Sequence, residues 1–268
     1  MFSFDNIRHA VLLEKIAKRV QDPQVLHLVK QILKVGGNVG VPQGGAFSPL
    51  AANIDLNELD GYFEAIRGKT AEGSYEAVNY HRFADDIVIT VSGHPSKDGW
   101  AERVLQRLQE QLKPLGVELN REKTNVVDAL HEEAFGFLGF DLRRVPKRKG
   151  EGYFILMTPR KKARKAIKAK IREIIRHGGA TPVKVLIERI NAALAGWVNY
   201  FKVGNSSRAF SEVRDDVEMK VRTLLTRRKR RRKRSVGWRR WSNEYLYGIL
   251  GLFWDWEIHP LEKANSYA

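Results

Sequence analysis

Cysteine is absent from this chain of 268 residues. That excludes disulfides, thiol nucleophiles and cysteine-based zinc sites, and it suits a reducing, intracellular setting. The cytoplasm is therefore the expected location. Long apolar runs are absent as well: no stretch approaches the length of a membrane-spanning helix, and no signal peptide is visible at Met1. No integral membrane role is expected. The seven histidines are scattered without metal-ligand spacing, and there is no internal repeat. Acid is scarce relative to base. Lysine and arginine number 47 against 31 aspartates and glutamates, leaving a formal net charge of +16. Such an excess calls for a polyanionic partner, either nucleic acid or an anionic surface.

The pattern along the chain predicts an α+β half followed by a helical half. Residues 7–34 read as helical, with Leu12, Leu13, Ile16 and Val20 on one face. After a break at Pro23, Val25, Leu28, Val29 and Ile32 share another. A glycine-rich loop at residues 40–45 precedes a helix opened by Pro49 and carrying Leu50, Ile54, Leu56, Leu59 and Phe63. Ser96 is a candidate cap for a helix bearing Trp100, Val104, Leu105, Leu108 and Leu112, with Gly116 just beyond it. Strands are expected near residues 117–119 and 135–142. Beyond residue 156 the composition becomes basic, with helices expected over 159–174, 182–201 and 208–227. Eight consecutive basic residues at 227–234 lead into an aromatic tail. Arg160, Lys161, Lys162, Arg164 and Lys165 crowd the first of these helices around much of its circumference. Together with residues 227–234 they make a candidate phosphate-binding surface. Trp238, Trp241 and Tyr245 have helical spacing, so core packing is favoured over stacking on bases.

Phe83-Ala84-Asp85-Asp86, set between strand-forming runs, reads as a tight hairpin with carboxylates at its tip. Aspartate is also an ordinary turn residue. Two adjacent carboxylates that face one site repel, and a cation relieves this. Mg²⁺ suits them, because it takes oxygen ligands and commonly bridges carboxylates to phosphates. The loop Gly40-Val41-Pro42-Gln43-Gly44-Gly45 offers close backbone approach and a bifunctional amide, although a turn before a helix explains it equally well.

Taken in order, this loop, Phe83-Ala84-Asp85-Asp86, Leu119-Asn120-Arg121-Glu122-Lys123-Thr124 and Phe135-Gly136-Phe137-Leu138-Gly139-Phe140 resemble a reverse transcriptase palm. With Gly196-Trp197-Val198-Asn199-Tyr200-Phe201 downstream, the chain resembles the reverse transcriptase/maturase proteins of bacterial group II introns. The resemblance implies a palm over residues 1–156, an all-α thumb or maturase region over 157–226, and a basic, aromatic nucleic-acid-binding segment over 227–268. It implies Asp85 and Asp86 as metal-binding and catalytic acids. Pro42, Gln43, Gly44 and Phe83 would lie against nucleotide and template, and Lys123 would be general acid to the leaving pyrophosphate. Phe137, Leu138 and Gly139 would form the primer grip. Lys202, Arg208, Arg227, Arg228, Lys229 and Arg230 would join the basic helix in holding intron RNA.

The family's remaining metal-binding aspartate lies upstream of the equivalent of Asp5, a position falling before Met1. The expectation is therefore an incomplete two-metal Mg²⁺ centre, completed by a separate N-terminal half or by another acid. The implied activity is RNA-directed DNA polymerisation on an RNA template and DNA primer, with attached splicing function. The alternatives are a non-catalytic, RNA-binding maturase and an inactive fragment. An endonuclease built on paired cysteines is not expected.

Overall fold

The computed structural model describes residues 7–41, 45, 47–71, 78–92, 99–131, 133–228 and 240–259. The chain folds as two compact units, Met1–Val126 and Val127–Ala268. The division falls before the change in composition near residue 156, because the second sheet packs with the basic helices.

In the first unit, α1 (His9–Ala17) and α2 (Pro23–Lys34) are separated where Asp22 caps the second helix, accepting from the backbone N–H groups of Gln24 and Val25. Proline at the first helical position costs nothing there, because that N–H has no helical partner anyway. Leu12 and Ile16 are buried as expected, but the buried face of α2 is Val29 and Leu33. Val25, Leu28 and Ile32 are exposed, a correction to the expected stripe. α3 (Ser48–Ala71) buries Leu56, Leu59 and Phe63 beneath the antiparallel pair β1 (Val78–Phe83) and β2 (Asp86–Val91). Leu50, expected on the same face, is exposed. Phe63 stacks on Tyr80 at 4.7 Å. α4 (Trp100–Leu112) closes this core with Leu108 and Leu112; burying each such side chain contributes roughly 1.5–3 kcal/mol. The proposed cap Ser96 lies outside the described residues.

Residues 117–119 are not a strand. The 3₁₀ turn Lys113–Leu115 ends in the left-handed Gly116, and the N–H of Val117 turns back to the Leu112 carbonyl. A helix C-terminus has captured the backbone that a strand would need.

In the second unit, the expected strand over 135–142 is a hairpin, β3 (Phe135–Phe137) and β4 (Phe140–Pro146), extended by β5 (Tyr153–Pro159) into an antiparallel sheet β3-β4-β5. Helices α5 (Lys161–Arg176), α6 (Val183–Phe201) and α7 (Ser207–Arg228) follow. Charge does not surround α5. Ile167 and Ile171, four residues apart, face a core shared with Ile187, Ile190 and Leu194 of α6 and Val213, Val217 and Val221 of α7. Trp241, Leu246 and Leu252 complete that core, and Tyr245, Tyr247, Phe253 and Trp256 pack against it, whereas Trp254 is exposed; Trp238 lies outside the described residues. Among the described residues, no helix is long and apolar enough to cross a membrane.

Candidate functional site

The aspartate pair stands at the tip of the β1-β2 hairpin. Phe83 pairs with Asp86, leaving Ala84 and Asp85 as a two-residue turn. The register fits the sequence, since Val78 and Tyr80 of β1 and Ile87, Ile89 and Val91 of β2 enter one core and bring the acids to the end. Two-residue hairpin turns need positive φ at their first central position, and Ala84 has φ 52°. Asp85 is half-buried, Asp86 is exposed, and Phe83 is 63% exposed beside them.

The turn is held from behind. Arg82 donates from Nη1 to the Ala84 carbonyl at 3.0 Å and to Asn53 Oδ1 at 2.8 Å. Its Nε reaches Asp60 Oδ1 at 2.7 Å, and its Nη2 closes an ion pair with Asp60 Oδ2. Tyr80 donates to the same carboxylate at 3.0 Å. Burial, then the Asp60 charge, pushes the Tyr80 hydroxyl well above its ordinary pKa. The Asp60 hydrogen bond is the main cause that raises Arg82. Asp60 and Asn53 carried no motif and were missed. The legible clue was Arg82 beside the acids, a cation in need of a partner on the helix below.

Oxygen donors suit a hard divalent cation, and Asp85 and Asp86 supply two. Among the described residues, no three His, Cys, Asp or Glu side chains come together as a metal site. Lys123 is exposed in the turn after α4. That turn is organised by Asn120, whose side chain accepts from the Glu122 N–H at 3.1 Å and whose carbonyl accepts from the Lys123 N–H at 3.1 Å. Pro42, Gln43 and Gly44 lie outside the described residues, but the backbone on either side is fixed. His9 donates to the Gly40 carbonyl at 2.6 Å, and the Ser48 N–H reaches the Gly45 carbonyl at 3.1 Å.

In the second unit, the residues expected to grip a primer form another two-residue turn. Phe137 pairs with Phe140, and Leu138 and Gly139 both have positive φ, 47° and 78°. Glycine takes that conformation freely, whereas leucine there is an outlier. Tyr200 Oη donates to the Leu138 carbonyl at 2.9 Å, and the Arg160 N–H donates to the Gly139 carbonyl at 2.9 Å. The Tyr200 ring stacks on Phe140 and is 52% exposed, while Phe201 is buried. Tyr200 is thus a clamp on this turn, while its neighbour Phe201 belongs to the core.

The basic residues divide. Lys161, Lys162, Lys165, Arg208 and Arg227 are exposed. Arg160 pairs with Asp141 at 3.0 Å, and Lys202 donates to Asn199 at 3.1 Å. Arg164 and Lys168 both pair with Glu212, and these two partners, Lys168 first, hold its carboxyl below the usual range. Arg228 donates to the carbonyls of Gly178 and Gly179 past the end of α5. Lys229 and Arg230 lie outside the described residues.

Residues 3–142 match the family described as reverse transcriptase (RNA-dependent DNA polymerase), and residues 164–245 match the group II intron maturase-specific domain. Protein YkfC of Escherichia coli is 29% identical over 194 residues, covering 60% of this chain and 50% of that protein. The group II intron-encoded protein LtrA of Lactococcus lactis is 27% identical over 207 residues, covering 52% of this chain and 33% of its own length. The putative COX1/OXI3 intron 1 protein of Saccharomyces cerevisiae is 24% identical and covers 78% of this chain and 34% of its own length. The alignments thus span half or less of each relative's length.

Proposed function

The chain belongs to the reverse transcriptase family, and on that premise we propose that it serves group II intron mobility and splicing as an RNA-directed DNA polymerase with a maturase region. The observation that carries the catalytic part is the hairpin that fixes Asp85 beside Asp86 at a clamped tip. In this reading the two carboxylates hold divalent metal, Mg²⁺ by preference, which would stabilise charge on the transferring phosphate. Phe83, Pro42, Gln43 and Gly44 border nucleotide and template, and Lys123 protonates the leaving pyrophosphate. Phe137, Leu138 and Gly139 position the primer end. The palm runs to about residue 156, the thumb to about 226, and the remainder supports nucleic-acid binding.

The maturase part rests on the maturase-specific match and on the exposed cations of α5, with Arg208 and Arg227. It predicts intron RNA binding that weakens steeply with salt. A non-catalytic splicing cofactor is the second reading, favoured by the maturase-specific match and the exposed cations, which serve RNA binding without polymerisation.

The test is Mg²⁺-dependent primer extension on an RNA template, with Asp85→Ala as control. Mg²⁺-dependent extension abolished by Asp85→Ala is the expected result. Extension indifferent to Asp85 refutes the proposed centre. Salt-sensitive intron binding with no extension under any condition favours the cofactor.

A further inference from the structure

A groove of about 560 Å³ opens in the second unit, on the side of α7 that faces the C-terminal segment. Its floor is a closed polar network. Glu218 and Arg222, 8% and 4% exposed, pair at 2.9 Å. Tyr247 donates to the other Glu218 oxygen at 2.6 Å, and Arg222 also donates to the Trp241 carbonyl at 2.9 Å. Arg222 further donates to Asn243 Oδ1. An arginine only donates, so the Asn243 oxygen is fixed toward it and the amide nitrogen is left as a donor. Tyr247 sits on the π-helical turn Tyr245–Ile249, a rare geometry that recurs at functional sites.

The remaining wall is more open. Trp254 is 73% exposed, unlike Trp241, which is core. Trp256 is wedged beside Phe210 and Phe253, yet its indole N–H is buried without an acceptor. Asp215 is largely exposed and makes a long 3.7 Å pairing to Arg214. The groove therefore offers a flat aromatic platform, a carboxylate acceptor and several donors on a rigid floor.

A planar heterocycle that both donates and accepts at its edge matches this set. Unpaired bases of RNA are recognised by stacking on aromatic side chains and by hydrogen bonds along their edges. The formal net charge of +16 concentrates polyanions and repels a basic peptide. We propose that this groove takes one unstacked base from a bound RNA strand, stacked on Trp254. Guanine is the preferred base, because its ring N–H and amino group can donate to Asp215 while the carbonyl next to them on the same edge accepts from a neighbouring donor such as Arg214. The inference rests on the RNA-binding reading above and adds a specific subsite to it.

The experiment measures fluorescence anisotropy of short oligouridine strands carrying one central guanine, adenine, cytosine or uridine, at fixed salt, against the full chain. The guanine strand binds tightest. Trp254→Ala weakens it roughly tenfold, Trp254→Phe largely preserves it, and Asp215→Asn removes most of the guanine preference. Both positions are exposed, so the circular dichroism spectrum stays unchanged. If Trp254→Ala binds all strands as the parent does while salt sensitivity persists, the groove is no base site and the RNA-binding reading stands alone. If the parent binds no strand even at low salt, both readings fall. Free guanosine monophosphate competing as well as the strand would make this a mononucleotide site and overturn the proposal.

Discussion

The two hairpins solve one backbone problem in two ways. Each places a non-glycine residue, Ala84 or Leu138, in the left-handed region at the first turn position. Each has the carbonyl of that residue held by a side-chain donor, Arg82 in one and Tyr200 in the other. The left-handed conformation costs an L-residue roughly 1–2 kcal/mol. A hydrogen bond worth about 1 kcal/mol offsets part of that and fixes the turn's orientation. The difference lies in where the donor comes from. Arg82 belongs to the hairpin's own strand and is anchored by Asp60 and Asn53 of the helix beneath. Tyr200 arrives from α6, 62 residues along the chain. The acidic hairpin is therefore clamped by its own strand, with only the anchor supplied by the helix beneath, whereas the apolar one takes its clamp from the helical bundle.

The largest effect that would sharpen this contrast is expected at Asp60. Asp60→Ala leaves the Arg82 side chain, 10% exposed, with its strongest partner gone. Breaking a buried pair costs about 3–5 kcal/mol, and the 35% exposure of Asp60 lowers that to about 2–3 kcal/mol here. Urea unfolding of the variant measures it directly. A loss under about 0.5 kcal/mol would mean that the Arg82 anchor is not what holds the acidic turn.

Next in size is Gly139→Ala. The φ of 78° makes any side chain costly there, and the added carbon would sit 3.4 Å from the Phe201 ring. A destabilisation of about 1–2 kcal/mol is expected from the backbone alone. Calorimetry should place the loss in the second unit's transition and leave the first unmoved. A shift of both transitions would break the idea that each hairpin belongs to its own unit.

Much of this was legible. Asp85 and Asp86 were placed at a hairpin tip because apolar alternation on both flanks leaves only the turn between them. The breaks at Pro23 and Gly116 were equally plain, since each acts through local backbone geometry. What escaped was the long-range pairing. Nothing local tells Arg82 to find Asp60, or Tyr200 to reach Leu138, because those partners meet only after the helices pack. The exposed stripe of α2 misled for a related reason: Val25, Leu28 and Ile32 share a face by spacing, but spacing does not say which face meets the core. The strand expected at residues 117–119 failed because a helix end had a competing use for its backbone.

The smallest effect tests the comparison most directly. Tyr200→Phe keeps the ring stacked on Phe140 and removes only the bond to the Leu138 carbonyl. With Tyr200 half exposed, water replaces part of what is lost, and a stability change of about 0.5–1 kcal/mol is expected. Global unfolding barely registers this, but amide hydrogen exchange at Gly139 and Phe140 would, because local opening of the turn is what the hydroxyl opposes. Faster exchange confined to the β3-β4 turn is the expected outcome. Unchanged exchange would mean that Leu138 holds its left-handed conformation without help from α6. The second hairpin would then hold its turn without a donor from outside its strands, and the maturase-region tyrosine would have no part in shaping it.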